Sequence, residues 1–200
     1  MRLRISVAAV VAACGLAAGG IAGAGPAQAV TPAAPVSLRH QEKYADQLCL
    51  WQLIDLVTAQ VHETYPDATL MLADGSSPSG PTTDMSKVTD WVLIYNTNTP
   101  GSSVQALEIH ATLEGEIDEP VPHTVPWGGT LPITERVSLS PAKAYAVLKE
   151  AGHGDAYEFV SLLRPLVPQS HLQYHFSHTR GGCDGYAVNV DDLAVSPICA

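Results

Sequence analysis

Three histidines, His171, His175 and His178, fall within eight residues, and imidazole is a common metal ligand. On a helix, His171 and His175 would share one face. The apolar residues between them, such as Leu172 and Tyr174, instead occupy every second position, which predicts a strand. Residues four apart on a strand are separated by roughly 13 Å, too far to bind one ion. The sequence therefore predicts exposed strand histidines and no metal site.

The residue types needed for catalysis are present, but their spacing is not that of a catalytic motif. An acidic cluster could serve as acid and base or bind Ca²⁺, and consists of Glu114, Glu116, Asp118 and Glu119. Their position at the end of a solvent-facing strand predicts ordinary solvated side chains instead. No Gly-x-Ser-x-Gly elbow occurs. Cys49 stands in an apolar predicted helix, where a thiol is inert. We therefore predict no catalytic residues and no cofactor, and keep an unrecognised hydrolase as an alternative.

The better candidates for function are residues that could contact another protein. A loop over residues 120–132 is stiffened by prolines and carries a Trp beside Gly128-Gly129, which is a plausible interface anchor. The alternative is that this Trp folds back to cap the sheet. The strand before the loop alternates, so its polar side chains share one solvated face. The predicted contact residues are Trp127, His123, Glu108, His110 and Glu114.

The N-terminus predicts export. Arg2 and Arg4 precede an uncharged Ala/Gly-rich stretch over residues 5–25, and Ala27-Gln28-Ala29 matches a small-x-small cleavage site. We predict a signal peptide over residues 1–29, a flexible leader over 30–36 and a secreted mature chain. The alternatives are a membrane anchor, disfavoured by the cleavage site, and a lipid anchor through Cys14, whose preceding apolar run is short.

The charge of the mature chain narrows the class of partner. Removing Arg2 and Arg4 leaves 8 basic against 20 acidic residues, a net charge of −12. Nucleic acids and anionic membranes both bind basic patches, so neither is an expected partner, and no membrane span is predicted. A protein partner of this chain should be basic.

The cysteines of the mature chain are Cys49, Cys183 and Cys199. Two short strands flank a turn near Asp191, and both Cys183 and Cys199 lie eight residues from it. A hairpin would place these two opposite each other, so a cross-hairpin disulfide is predicted. Cys49 would then be a free, buried thiol outside the disulfide. The alternatives pair Cys49 with one of the other two or with another molecule.

Hydrophobic periodicity and turn residues predict the elements that position these side chains. Helices are expected over residues 37–64, ending at Tyr65-Pro66, and from an N-cap at Ser140 to Gly152. Loops are expected over residues 75–83 and 118–133. Strands are expected over residues 68–73, 88–97, 104–117, 157–163, 171–178, 186–190 and 193–198.

Both halves share one order of elements: a helix, a short strand, an aromatic strand and another strand. The predicted fold class is α+β, with two helices packed on an antiparallel sheet and a tandem α-β-β-β repeat. The first unit covers residues 37–133 with its Pro-rich loop, and the second covers 134–200. This plan is similar in architecture to that of secreted β-lactamase inhibitor proteins.

The second unit also resembles a known module. From Ser140 to Ile198 it resembles a PepSY-type module, with a capped helix, a glycine, a strand, an aromatic strand and a final hairpin. The hairpin matches Tyr-x-Val-x-Val-x-x-x-x-Val through Tyr186, Val188, Val190 and Val195. PepSY modules occur in propeptides of secreted metalloproteases and in stand-alone exported proteins. The resemblance implies protein binding or protease inhibition.

The function predicted from the sequence is therefore non-covalent binding of a secreted protein, with an extracellular protease as one candidate target. The rival prediction is a small or apolar ligand held between the helices and the sheet. Its pocket would be lined by Trp91, Tyr95, Tyr174 and Phe176.

Overall fold

The computed structural model describes Leu3–Arg4 and residues 47–199, except positions 137 and 169. The predicted signal peptide, the leader and the lipid-anchor alternative at Cys14 lie outside these residues, apart from the two-residue strand β1, Leu3–Arg4. Within them, no helix has the length and apolar character that a membrane span requires.

The first helix, α1, spans Leu50–Thr64, with Tyr65 as its C-cap before Pro66, so its predicted end is confirmed. Its buried stripe recurs every three or four residues: Leu50, Leu53, Ile54, Val57 and Val61. The predicted start was wrong for the residues described, because positions 47–49 are not helical. Cys49 is the N-cap, and its backbone N–H donates to the Gln52 side chain at 2.9 Å. Its thiol is unpaired and half-buried.

The second helix, α2, spans Pro141–Glu150 and confirms the capping prediction. The Ser140 hydroxyl accepts a hydrogen bond from the Lys143 N–H at 3.3 Å, and Pro141 fills the first helical position. Gly152 follows the helix with φ of +92°, a conformation that glycine adopts without strain.

The strands are all antiparallel to their neighbours. Their bounds are β2 Thr69–Ser76, β3 Asp90–Asn96, β4 Ala106–Thr112, β5 Glu116–Ile117, β6 Val121–His123, β7 Thr130–Leu131, β8 Phe159–Pro165, β9 Gln173–Ser177, β10 Gly185–Asn189 and β11 Val195–Pro197. The order across the sheet is β1-β5-β4-β3-β2-β8-β9-β10-β11. In addition, β6 pairs with β4 and β7 pairs with β8.

The chain is therefore α+β, with two helices and an antiparallel sheet, as predicted. Each helix is followed by strands that pair in sequence order, and the first strand of each group, β2 and β8, pair at the centre. The tandem α-β-β-β repeat stays a prediction, because α1 is followed by six strands and α2 by four.

The loop prediction over residues 75–83 was wrong at its start, because β2 continues through Asp74, Gly75 and Ser76. A Cβ at position 75 would stand 2.8 Å from the Trp91 ring and from Val88. Glycine therefore sits inside this strand because a large aromatic ring packs on it.

Two further predictions need correction in the middle of the chain. The single strand over residues 104–117 is divided by a turn in which Gly115 has φ of +87°, giving β4 and β5. The predicted loop over residues 118–133 contains β6 and β7. Proline prevents one backbone N–H from pairing, but it leaves its neighbours free to join a sheet edge.

The C-terminal hairpin confirms the predicted disulfide. β10 and β11 pair with Tyr186 opposite Pro197 and Val188 opposite Val195. Cys183 and Cys199 are bonded, with their Cα atoms 5.1 Å apart. The disulfide joins the loop between β9 and β10, residues 178–184, to the segment that follows β11.

One hydrophobic core lies between the helices and the sheet and draws on both halves of the chain. Tyr145 of α2 packs against Tyr157 and Phe176, with ring centroids 6.3 and 5.8 Å away. Residues on the opposite side of the sheet project away from this core.

Candidate functional site

The face of the sheet opposite the helices, here called the open face, carries a row of directly paired residues. Because paired residues on neighbouring strands project on the same side, the row can be read from the register. In order across the sheet it consists of His110, Val92, Asp74, Ser161, His175, Ala187 and Ser196. The row brings together polar side chains that lie far apart in the sequence.

Asp74 is the centre of a polar cluster on this face. Its side chain is 4% exposed, and its two oxygens have different partners. Oδ1 accepts the Ser161 hydroxyl at 2.6 Å, and Oδ2 pairs with the Arg180 guanidinium at 2.9 Å. Burial raises the pKa of Asp74, whereas the Ser161 bond and the Arg180 charge oppose this rise. Arg180 also lies over the Phe159 ring, 4.9 Å from its centroid.

His175 is the next residue of the row after Ser161. Its Nε2 atom lies 2.9 Å from Gln173 Oε1. Because that oxygen can only accept, Nε2 carries the proton and Nδ1 is left as an acceptor. Burial lowers the pKa of His175 to about 4, so the ring is neutral at pH 7.

These three side chains, Asp74, Ser161 and His175, do not form a catalytic relay. In a Ser-His-Asp triad the imidazole stands between the other two and accepts the serine proton. Here the serine stands between the carboxylate and the imidazole, and its hydroxyl donates to Asp74. The cluster instead orders the floor of the open face through hydrogen bonds.

A second cluster joins Glu108 to two histidines on the same face. Glu108 Oε1 lies 2.9 Å from His110 Nε2, and Oε2 lies 3.3 Å from His123 Nε2. His123 stands on β6 and His110 on β4, so the carboxylate bridges two strands. Among the described residues, no three His, Cys, Asp or Glu side chains are placed to hold a metal ion.

The segment from β6 to β7, residues 121–131, is here called the arm. It begins beside β4, with Glu108 opposite Val121, and ends beside β8, with Leu131 opposite Arg164. Since β3 and β2 separate those two strands, the arm crosses from one half of the sheet to the other. Residues 121–129 are all exposed. The arm is therefore an exposed segment fixed at both ends by strand pairing.

A side chain of β3 holds the middle of the arm. Asn96 Nδ2 donates to the Trp127 carbonyl at 3.0 Å, and Asn96 Oδ1 accepts from the Trp127 N–H at 2.7 Å. One amide side chain thus pairs with both backbone groups of Trp127, while the indole remains 40% exposed. The backbone that carries the indole is therefore fixed before any contact is made, which lowers the entropy cost of binding.

We expect Asn96→Ala to loosen the arm without unfolding the protein. Two hydrogen bonds of roughly 0.5–1.5 kcal/mol each would be lost. Amide exchange at Trp127 should then become faster by about tenfold, which corresponds to about 1.4 kcal/mol. Hydrogen exchange followed by NMR measures this rate. The matched control is Asn98→Ala, which removes a neighbouring bond to the Asp67 carbonyl. Equal exchange at Trp127 in all three proteins would show that Asn96 does not hold the arm.

The predicted contact residues come together only in part. Glu108, His110 and His123 form one cluster, and Trp127 lies on the arm that continues from it. Glu114 does not join them. It stands in the turn between β4 and β5 and accepts a hydrogen bond from Gln47, because β4 ends at Thr112.

The three histidines of the first motif also separate. His175 faces the open side of the sheet, and the His171 ring lies 2.8 Å from an Asp191 oxygen. His178 stacks on Tyr157 with centroids 5.1 Å apart. The predicted strand over residues 171–178 is shorter, Gln173–Ser177, so the first and last histidines lie outside it.

The residues predicted to line a pocket between helix and sheet fill that space themselves. Trp91, Tyr95, Tyr174 and Phe176 are at most 2% exposed. Their polar atoms have internal partners, for example Tyr95 with Thr58 at 2.8 Å. Burial strongly raises the pKa of Tyr95 and of Tyr174, which keeps both neutral. These four side chains are packed core, contrary to the prediction.

Hollows lie on the open face instead. The Arg180 hollow, about 430 Å³, is bounded by Arg180, His110, Asp90 and the end of β5. The Trp127 hollow, about 410 Å³, lies between the arm and the strand residues Ile94, Ala106 and Glu108. The third, the Ser161 hollow, measures about 220 Å³ and lies between the end of the arm and residues 181–182.

The sequence reasoning missed Asp74, Ser161 and Arg180. Asp74 lay between the predicted strand over residues 68–73 and the predicted loop over 75–83, and Ser161 lay inside the predicted strand over 157–163. One signal was available: both are single polar residues within apolar strands, as expected where one face of a sheet is not part of the core. Their pairing across 87 residues could not be read from either strand alone.

Comparison with known proteins finds no match to the chain among family models, curated proteins or solved structures.

Proposed function

We propose that this chain is a secreted protein that binds another protein non-covalently through the arm and the open face. The observation that carries this proposal is the arm. Its nine consecutive exposed residues, 121–129, are held at both ends by strands and in the middle by Asn96.

The apolar side chains on and beside the arm support a protein partner. Val121, Val125 and Trp127 are 48%, 70% and 40% exposed. Leu166 is 61% exposed, and its N–H donates to the Gly129 carbonyl at 3.2 Å, so it extends the same patch. Large apolar side chains grouped in this way are typical of protein interaction sites, and Trp is a frequent anchor of binding energy.

The class of partner follows from charge and from the PepSY-like resemblance. The net charge of −12 on the predicted mature chain favours a basic partner. The resemblance of residues 140–198 to PepSY modules makes an extracellular protease the first class to test. Export rests on the predicted signal peptide, and the Cys183–Cys199 disulfide is compatible with it.

The test is capture of the partner from the culture medium of the host, using the chain Val30–Ala200 as bait and mass spectrometry to identify bound proteins. We expect one basic protein in stoichiometric amount. A second bait with Val125→Asp should lose it, because the charge is placed on the most exposed apolar residue of the arm. A bait with Leu193→Asp, changed at an exposed turn of the C-terminal hairpin, should keep it. No captured protein, or equal capture by all baits, would contradict the proposal.

A further inference from the structure

The Ser161 hollow is lined by hydrogen-bonding side chains from three separate parts of the chain and by the apolar side chains of Leu163, Pro165 and Ile198. Ser161 and His175 stand on its floor, Ser177 stands on β9 beside them, and Thr130 contributes the end of the arm. Its volume of about 220 Å³ is roughly seven times the ~30 Å³ share of one water molecule. The end of one polar side chain would fit in this space.

The side chains that line the hollow differ in whether they can donate a hydrogen bond to a ligand or only accept one. The Ser161 hydroxyl donates to Asp74, and the Ser177 hydroxyl donates to the Thr179 carbonyl at 2.9 Å. His175 donates through Nε2 to Gln173. The proton of each of these three groups is already engaged in an internal hydrogen bond, so each group can only accept a hydrogen bond from a ligand. The Thr130 hydroxyl oxygen is buried and has no hydrogen-bond partner. The hollow is therefore lined by three groups that can only accept and by a threonine whose hydroxyl has no partner.

None of the described residues that line the hollow is charged at neutral pH, and the overall charge of the chain favours a cation there. Burial lowers the pKa of His175 to about 4, so the imidazole adds no positive charge at neutral pH. The Asp74 carboxylate accepts the Ser161 hydroxyl, and its negative charge is neutralised by its ion pair with Arg180, which lines the Arg180 hollow. The predicted mature chain as a whole is strongly acidic, which favours a positively charged group, and an apolar lining with three acceptors suits the apolar stem and charged end of a long basic side chain.

From these observations we infer that the Ser161 hollow receives a lysine or arginine side chain of the partner protein. This inference rests on the proposed function, because it names the chemistry of one partner residue. Thr130 lies three residues after Trp127, so a partner that covers the indole can reach the hollow. Ammonium and guanidinium groups have donors only, and the acceptors of the hollow match them.

The test uses N-acetyl-lysine amide as the probe and N-acetyl-norleucine amide as the matched control, because norleucine keeps the side-chain stem and lacks the ammonium. NMR follows the His175 ring and the Thr130 backbone amide during each titration of the isolated chain. We expect the lysine probe to shift both signals saturably, with a Kd of about 1 mM, and the norleucine probe to shift neither.

Thr130→Val supplies the variant, since valine keeps the shape of threonine and removes the hydroxyl. It should weaken the lysine probe by about fivefold, the loss expected for one hydrogen bond of about 1 kcal/mol. Thr124→Val, elsewhere on the arm, should change nothing. Equal shifts by both probes, or no saturable shift up to the solubility limit of the lysine probe, would overturn the inference. If the captured partner still needed the arm in that case, the proposed function would stand without it.

Discussion

Replacing Trp127 with alanine is expected to weaken partner binding by about 30-fold or more while leaving the melting temperature nearly unchanged. A loss of that size corresponds to about 2 kcal/mol, the threshold of an interface hot spot. The backbone at Trp127 is already fixed by the two Asn96 bonds, so only the side-chain torsions remain to be ordered when the indole is buried. Titration calorimetry with the captured partner measures the affinity, and thermal unfolding measures the stability.

The stability of the Trp127→Ala variant should be preserved for two reasons. The indole is 40% exposed, and the bonds that fix the arm at this point are made by the backbone of Trp127, which alanine also provides. Leu193→Ala serves as the control, because Leu193 is 44% exposed and lies in the turn between β10 and β11. Unchanged affinity in the Trp127 variant would remove the arm from the binding surface.

A second large effect is expected when the pH falls. The pKa of His175 is about 4 in the folded chain, against about 6.5 in the unfolded chain. Below pH 6.5 the unfolded state therefore binds a proton that the folded state does not bind until near pH 4. Stability must fall as the pH is lowered through this window, by about 2 to 3 kcal/mol at pH 4.5.

The measurement is the free energy of unfolding by urea at pH 7 and pH 4.5, for the natural chain and for His175→Gln. Glutamine keeps a polar side chain at this position and does not titrate. Asp74, with its raised pKa, acts in the opposite direction: the folded state takes up its proton first as the pH falls. Because both proteins contain Asp74, its effect cancels in the difference. An equal loss of stability in both proteins would show that His175 is not held neutral by the fold.

The elements that could be predicted are those specified by local chemistry. Ser140, Pro141 and Gly152 mark both ends of α2, and Pro66 marks the end of α1. The hairpin around Asp191 and its disulfide followed from simple symmetry of spacing. In each case a few residues that are close together in the sequence determine the conformation, so it can be predicted from a single sequence.

The wrong predictions concern segments whose conformation depends on contacts with distant parts of the chain. Gly75 belongs to a strand because Trp91 packs on it, and β6 and β7 exist because β4 and β8 offer them partners. Periodicity identified Glu108 and His110 as neighbours on one face. It could not place His123 beside them, nor separate Glu114, whose turn depends on Gly115. The aromatic strands were read correctly as strands, but their rings belong to the core.

The central pairing of β2 with β8 has a consequence for how the protein folds. Within each half, the strands from β2 to β5 and from β8 to β11 follow one another with at most 13 residues between them and can pair early. β2 and β8 are contributed by opposite halves, and the Ser161–Asp74 bond that joins them closes 87 residues of chain. Such a closure carries a larger entropy cost than any hairpin and is slow. We therefore expect the floor beneath the arm to form late in folding, and a chain arrested before that step would display the arm without the surface it belongs to.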